Sequence, residues 1–192
     1  MDKQKKTLTV YDLAYIALMT ALICVCSWIT IPATVPFTMQ TFAVFVSVLL
    51  LGGMRGSLSV LIYILLGAVG APVFSGFKGG LAALLGPTGG YIIGFFFSAI
   101  CMWGFEKAAS RSAHKRLLCI LSMLCALLLC YAFGTVWFER VYLTEDGTHI
   151  GIAATLGLCV FPFVIPDLLK LSLAFALSRN KTLRRVLRHT GA

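Results

Sequence analysis

Six long apolar stretches, separated by short breaks that are charged or rich in proline and glycine, constrain this chain more than any other sequence feature. Of its 192 residues, 59% are hydrophobic and only 12% are charged. A water-soluble domain carries about 25% charged residues. The excess of apolar surface is too large for one small soluble core, so we expect lipid to be the solvent.

The spacing of the breaks predicts an all-α integral membrane protein, a six transmembrane helix bundle that forms a single membrane domain over residues 1–192. The first span ends before Pro32 and the third before Pro72. Residues 72–90 are rich in glycine, and we interpret them as a long, partly re-entrant loop. The predicted spans are about 11–31, 37–53, 57–71, 91–105, 117–138 and 152–177.

The Lys and Arg residues predict the orientation of these spans. Thirteen fall on one side of the predicted membrane, two on the other, and Lys170 lies inside the last span. Cytoplasmic loops are enriched in Lys and Arg, so we expect both termini to be cytoplasmic. The thirteen are Lys3, Lys5, Lys6, Arg55, Lys107, Arg111, Lys115, Arg116, Arg179, Lys181, Arg184, Arg185 and Arg188; the two are Lys78 and Arg140. Because these charges flank apolar stretches, the net charge of +9 does not indicate a nucleic-acid partner.

Asp167 and Lys170 are the candidate functional pair, because ionisable groups inside a bilayer cost about 2.5–3.5 kcal/mol each to insert. Their spacing of three residues places them on one face of the sixth span. One interpretation is a structural pair that pins this helix to its neighbours. The other is a buried site that offers a ligand one acceptor and one donor. The residues alone indicate either a small polar ligand or proton coupling.

Two glycine-containing segments are candidate ligand-binding loops. Gly86–Tyr91 superficially resembles a phosphate-binding loop, but no Lys and Ser/Thr follow its last glycine, so we reject nucleotide binding. Lys78 stands among Gly76, Gly79 and Gly80. It is either a solvated lysine or a contact for an anionic group of an entering solute.

Ala17 and Ala21 form a small-xxx-small pair on the first span, which permits close helix approach either inside the bundle or to a partner. The seven cysteines lie in apolar stretches without metal-ligand spacing, and we interpret them as small hydrophobic residues. No hydrolase arrangement of Ser, His and Asp is present in the sequence. We therefore predict no catalytic residues, no metal and no cofactor.

Three further motifs are the segments 35–44 (VPFTMQTFAV), 67–74 (GAVGAPVF) and 85–94 (LGPTGGYIIG). These motifs resemble those of the BioY family of biotin transporters. The segment 166–170 (PDLLK) is similar to the motif on that family's sixth helix, and the resemblance covers residues 11–178. The combination of these motifs is more specific for the family than any single motif.

The resemblance implies a bacterial protein of the cytoplasmic (inner) membrane that is not an enzyme. It would be the substrate-binding S component of an energy-coupling factor (ECF) transporter, holding biotin near the outer surface. Its partners would be membrane lipid and biotin, with uptake driven by an ECF module (a transmembrane coupling protein and two ATPases) or by the chain acting alone. An S component for another vitamin-like solute, and a membrane scaffold or enzyme with a structural Asp–Lys pair, are the alternatives.

The resemblance also implies a set of site residues. Asp167 would accept a hydrogen bond from a ureido N–H of biotin, and Lys170 would donate to its carbonyl. Phe37, Phe42 and Tyr91 would form apolar walls. The loops that carry Thr38, Gln40, Lys78, Gly79 and Gly80 would cover the ligand, and Ala17 and Ala21 would dock the coupling protein.

Overall fold

The computed structural model describes residues 8–109, 112–144 and 147–180, and this part of the chain is mostly helical. Lys3, Lys5, Lys6, Arg111 and the four basic residues between 181 and 188, used above for orientation, lie outside the described residues. The helices are α1 Val10–Trp28, α2 Gln40–Leu51, α3 Gly53–Ala68, α4 Leu81–Leu85, α5 Gly89–Ala109, α6 Lys115–Val141, α7 Ile152–Cys159 and α8 Phe161–Ser178. A short hairpin pairs β1 Thr30–Ile31 with β2 Phe37–Thr38, and Ser75–Phe77 form a 3₁₀ turn.

Four helices of the described residues, α1, α5, α6 and α8, are long and apolar enough to cross a membrane. α2 and α3 are apolar but have only 12 and 16 residues. They are separated at Gly52, whose φ of +86° favours glycine. The break between the second and third predicted spans therefore lies at Gly52, whereas the sequence placed it at residues 54–56, which are helical.

The sixth predicted span is divided. α7 ends at Cys159, and Val160, with φ −124° and ψ −59°, separates it from α8. Pro162 lies in the first turn of α8, where its missing N–H costs no hydrogen bond. Pro166 lies inside α8 without ending it, so the pair at 167 and 170 sits on a continuous helix.

The core is centred on α2, because every residue of this helix except Phe42 is buried. α2 packs against α1, α3, α5 and α8, and α5 packs along α6. Helix crossings use small polar side chains: the Thr20 hydroxyl of α1 donates to the Ser59 carbonyl oxygen at 3.1 Å. Such bonds satisfy polar groups that lipid cannot hydrate.

Charged side chains order one end of the bundle, where α1 and α3 begin and α5 ends. Thr9 and Asp12 form a reciprocal capping box at the start of α1. The same Asp12 carboxylate forms an ion pair with Arg55 of α3 at 2.9 Å. The Glu106 carboxylate of α5 accepts a hydrogen bond from the backbone N–H of Gly53, which has no acceptor within its own helix because it lies at the start of α3. These groups join three helices at the end opposite the β hairpin.

Candidate functional site

A cavity of about 600 Å³ lies at the hairpin end of the bundle. Its walls come from the α1–α2 loop, the segment 74–88, and the facing sides of α2, α5, α6 and α8. The lining is mainly apolar, with polar groups from Thr38, Gln40, Tyr131, Asp167 and Lys170. A large apolar cavity with a few convergent polar groups is typical of a small-molecule site.

Asp167 and Lys170 line this cavity together on α8. Both are buried, at 4% and 6% exposure. The Lys170 ammonium donates to Asp167 Oδ1 at 2.8 Å, so the i, i+3 spacing does bring the two groups into contact. A buried pair that borders a cavity still has unused hydrogen-bonding positions on that side.

Lys170 also connects α8 to the α1–α2 loop. Its ammonium donates to the Thr38 carbonyl oxygen at 2.7 Å and lies 4.1 Å from the centre of the Phe37 ring. Phe37 in turn stacks on Phe163 at 5.6 Å between ring centres. Phe37 therefore contacts the Lys170 ammonium, but it is not itself among the residues that line the cavity.

Gln40 forms a second polar cluster at the start of α2. Its amide N–H donates to the Tyr63 hydroxyl, and its amide oxygen accepts from the Thr38 hydroxyl at 3.2 Å. Thr38 also accepts from the backbone N–H of Gln40, which fixes the turn from β2 into α2. Thr38 and Gln40 are therefore held in place on the cavity wall.

Lys78 lies on the rim of the cavity and is exposed. Within the described residues no acidic side chain lies at ion-pair distance from it. Gly79 also lines the cavity, and a Cβ there would come within 2.2 Å of the Ala71 carbonyl oxygen. Glycine is required at this position by a close backbone approach.

The loop that carries Lys78 is attached to the end of α1. The Trp28 indole N–H donates to the Pro72 carbonyl oxygen at 2.9 Å, and its ring stacks on Phe77 at 5.1 Å. Phe77 has a φ of +58°, a backbone conformation that is uncommon for a bulky residue. The hydrogen bond and the ring contact together join this loop to the end of α1.

Tyr91 lines the cavity from α5. Its ring packs on Gly134 of α6, where a Cβ would lie 2.2 Å from the ring. Two other expected wall or lid residues are not among those that line the cavity: Gly80, which is the N-cap of α4, and Phe42, which packs against the core.

Sequence reasoning missed Tyr131 of α6. Its hydroxyl donates to Asp167 Oδ2 at 2.6 Å, so protein donors contact both oxygens of this carboxylate. Tyr131 sits in a long apolar stretch that shows no local motif. The available signal was general: a buried tyrosine hydroxyl in a membrane segment needs a partner, and Asp167 is a buried acceptor.

Ala17 and Ala21 are exposed on the outside of α1 and do not lie between helices of the bundle. Leu18 and Val25 are exposed on the same helix, at 57% and 47%. No residue of α1 is among those that line the cavity, so this surface is separate from the cavity wall.

The BioY family model matches residues 1–188. The chain belongs to the BioY family. It is 41% identical over 156 residues to the biotin transporter BioY of Thermotoga maritima, covering 81% of this chain and 86% of that one. It is 37% identical over 170 residues to a probable biotin transporter BioY of Pyrococcus horikoshii, covering 88% and 94%.

A solved structure supports the same relationship. The S-component for biotin from an ECF-type ABC transporter matches with a TM-score of 0.75 and 27% identity, over 97% of this chain and 94% of that one. The resemblance predicted from the three motifs is thereby confirmed. The chain is a multi-pass membrane protein of a transporter family and not an enzyme.

Proposed function

We propose that this protein binds biotin in the cavity and is the substrate-binding subunit for its uptake across the cytoplasmic membrane. The observation that carries the proposal is the buried Asp167–Lys170 pair on the cavity wall. Biotin's ureido ring has two N–H donors and one carbonyl acceptor. A carboxylate accepts and an ammonium donates, so the pair is chemically complementary to that ring.

The rest of the cavity fits the rest of the ligand. Phe45, Phe74 and Phe95 give apolar walls for the thioether ring and the hydrocarbon chain. Lys78 on the rim is a cation for the carboxylate at the other end of biotin. Thr38, Gln40, Gly79 and Tyr91 complete the walls, while Phe37 and Gly80 support the loops around them.

For the membrane arrangement, we propose one domain with six crossings. α1, α2, α3, α5 and α6 each form one crossing, and α7 with α8 forms the sixth. Both termini would be cytoplasmic, which places the cavity at the outer surface. The basic residues at the opposite end, among them Arg55, Lys107 and Lys115, support this orientation.

For energy coupling, we propose that an ECF module of a transmembrane coupling protein and two ATPases docks on α1. The exposed Ala17 and Ala21 offer a flat surface that a second helix can approach closely. The sequence has no phosphate-binding loop, so ATP hydrolysis would be supplied by the partner.

The proposal is tested by titrating the purified full-length protein with biotin. Saturable, tight binding at one site is expected. Absence of binding to biotin together with binding of another vitamin would favour an S component for a different solute. Absence of binding to any such solute would favour the structural interpretation of the pair.

A further inference from the structure

A hydrogen bond between the Tyr131 hydroxyl and the Asp167 carboxylate lies at the wall of the cavity. Tyr131 lies on α6 and Asp167 on α8, and both side chains line the cavity. α8 packs mainly against α2 and α7, and α6 mainly against α5 and α7. The 2.6 Å hydrogen bond therefore joins two helices at the cavity wall and is not part of an extensive helix–helix contact.

The bond determines how the carboxylate is presented. A carboxylate has about four lone-pair positions, and the terminal torsion of an Asp side chain is broad. Lys170 occupies a position on Oδ1 and Tyr131 one on Oδ2. With both oxygens held, the plane of the carboxylate is fixed, and the remaining lone pairs are available to a ligand in the cavity.

We infer that Tyr131 is a positioning residue of the ligand site, which acts through Asp167 by fixing the carboxylate that receives the ligand's N–H donor. This inference rests on the proposed function. An oriented acceptor binds more tightly because the ligand does not have to order it. Tyr131 would thus increase affinity and favour ligands with an N–H donor at this end of the cavity.

The test is a double-mutant cycle of Tyr131→Phe and Asp167→Asn, with biotin affinity measured by calorimetry on the full-length protein. Tyr131→Phe should weaken biotin binding about tenfold in the wild-type background, because the ligand must then order the carboxylate itself. In the Asp167→Asn background the same change should cost less than about threefold, because the charged group it positions is gone. Ligand-free melting is measured on all four proteins.

Tyr142→Phe is the matched control, because it removes a hydroxyl just beyond the end of α6, outside the cavity. It should leave biotin affinity unchanged. Equal losses in both backgrounds, unchanged affinity in Tyr131→Phe, or failure of Tyr131→Phe to fold would each overturn the inference. Failure of the wild-type protein to bind biotin would overturn the proposed function instead.

Discussion

The two ends of the bundle each hold an aspartate paired with a basic side chain at almost the same distance. Asp12 and Arg55 are 2.9 Å apart, and Asp167 and Lys170 are 2.8 Å apart. Asp12 also caps α1 and joins it to α3, so its neighbours are helix termini. Asp167 and Lys170 border a cavity of about 600 Å³. The comparison teaches that the surroundings of an ion pair, more than its geometry, indicate whether it serves folding or binding.

The largest expected effect is in cysteine labelling, because the two ends of the bundle should lie on opposite sides of the membrane. Single cysteines are introduced at Lys78, Thr148, Arg55 or Lys115 in a protein whose seven native cysteines have been replaced. A membrane-impermeant thiol reagent added to intact cells should label positions 78 and 148 and not 55 or 115. Labelling of position 115 from outside would contradict the proposed six crossings.

Lys170→Met should produce the largest loss of affinity, at least about 100-fold. The change removes the donor to the ligand carbonyl and leaves Asp167 buried beside an apolar side chain. It also removes the bond to the Thr38 carbonyl oxygen. Biotin affinity and ligand-free melting are measured together. Near-normal affinity with lowered melting would make this pair structural, like the pair at the other end.

Asp167→Asn should weaken biotin binding about 10- to 150-fold, because an acceptor remains but the charge-assisted bond, worth about 1.5–3 kcal/mol, is lost. The double variant with Lys170→Met should lose less than the sum of the single losses, since neither charge is then left unpaired. Calorimetry on the two single variants and the double variant gives the coupling free energy between residues 167 and 170 in biotin binding. Strict additivity would be inconsistent with two groups that act as one site.

Replacing Ala17 and Ala21 with leucine should reduce recovery of an ECF module about tenfold or more in co-purification, while biotin affinity stays within about twofold. Larger side chains prevent the close helix approach that small residues allow. Leucines at Ala132 and Ala176, which are exposed on α6 and α8, are the control and should not change recovery. An equal loss of biotin binding would show that the α1 surface serves the bundle itself.

The smallest effect is expected for Asp12→Asn, the counterpart of Asp167→Asn at the other end. Loss of the carboxylate at the third position of the capping box and weakening of the Arg55 pair should reduce stability by about 1 kcal/mol. Biotin affinity should stay within about twofold, since this end is remote from the cavity. A loss comparable to that of Asp167→Asn would mean that the two ends are coupled, and the comparison would fail.

The sequence predicted the features that local spacing or composition determines. Hydropathy predicted a helical membrane protein, and the i, i+3 spacing predicted contact between Asp167 and Lys170. The division of the last predicted span was missed although Pro162 marked it, because the apolar stretch continues through the break. Tyr131 could not be placed, because its role depends on how two helices that are distant in sequence face one cavity.

The short length of α3 has a consequence for the surrounding lipid. Sixteen residues span about 24 Å, less than the roughly 30 Å of a typical hydrocarbon core. α2 is shorter still, but it is surrounded by other helices, whereas Leu65 and Leu66 of α3 are exposed. In the proposed arrangement of six crossings, the bilayer beside α3 would become thinner, and a membrane protein that covers this sector would relieve that cost. Because α3 packs beside α1, hydrophobic mismatch in this arrangement would favour an assembly beside this pair of helices.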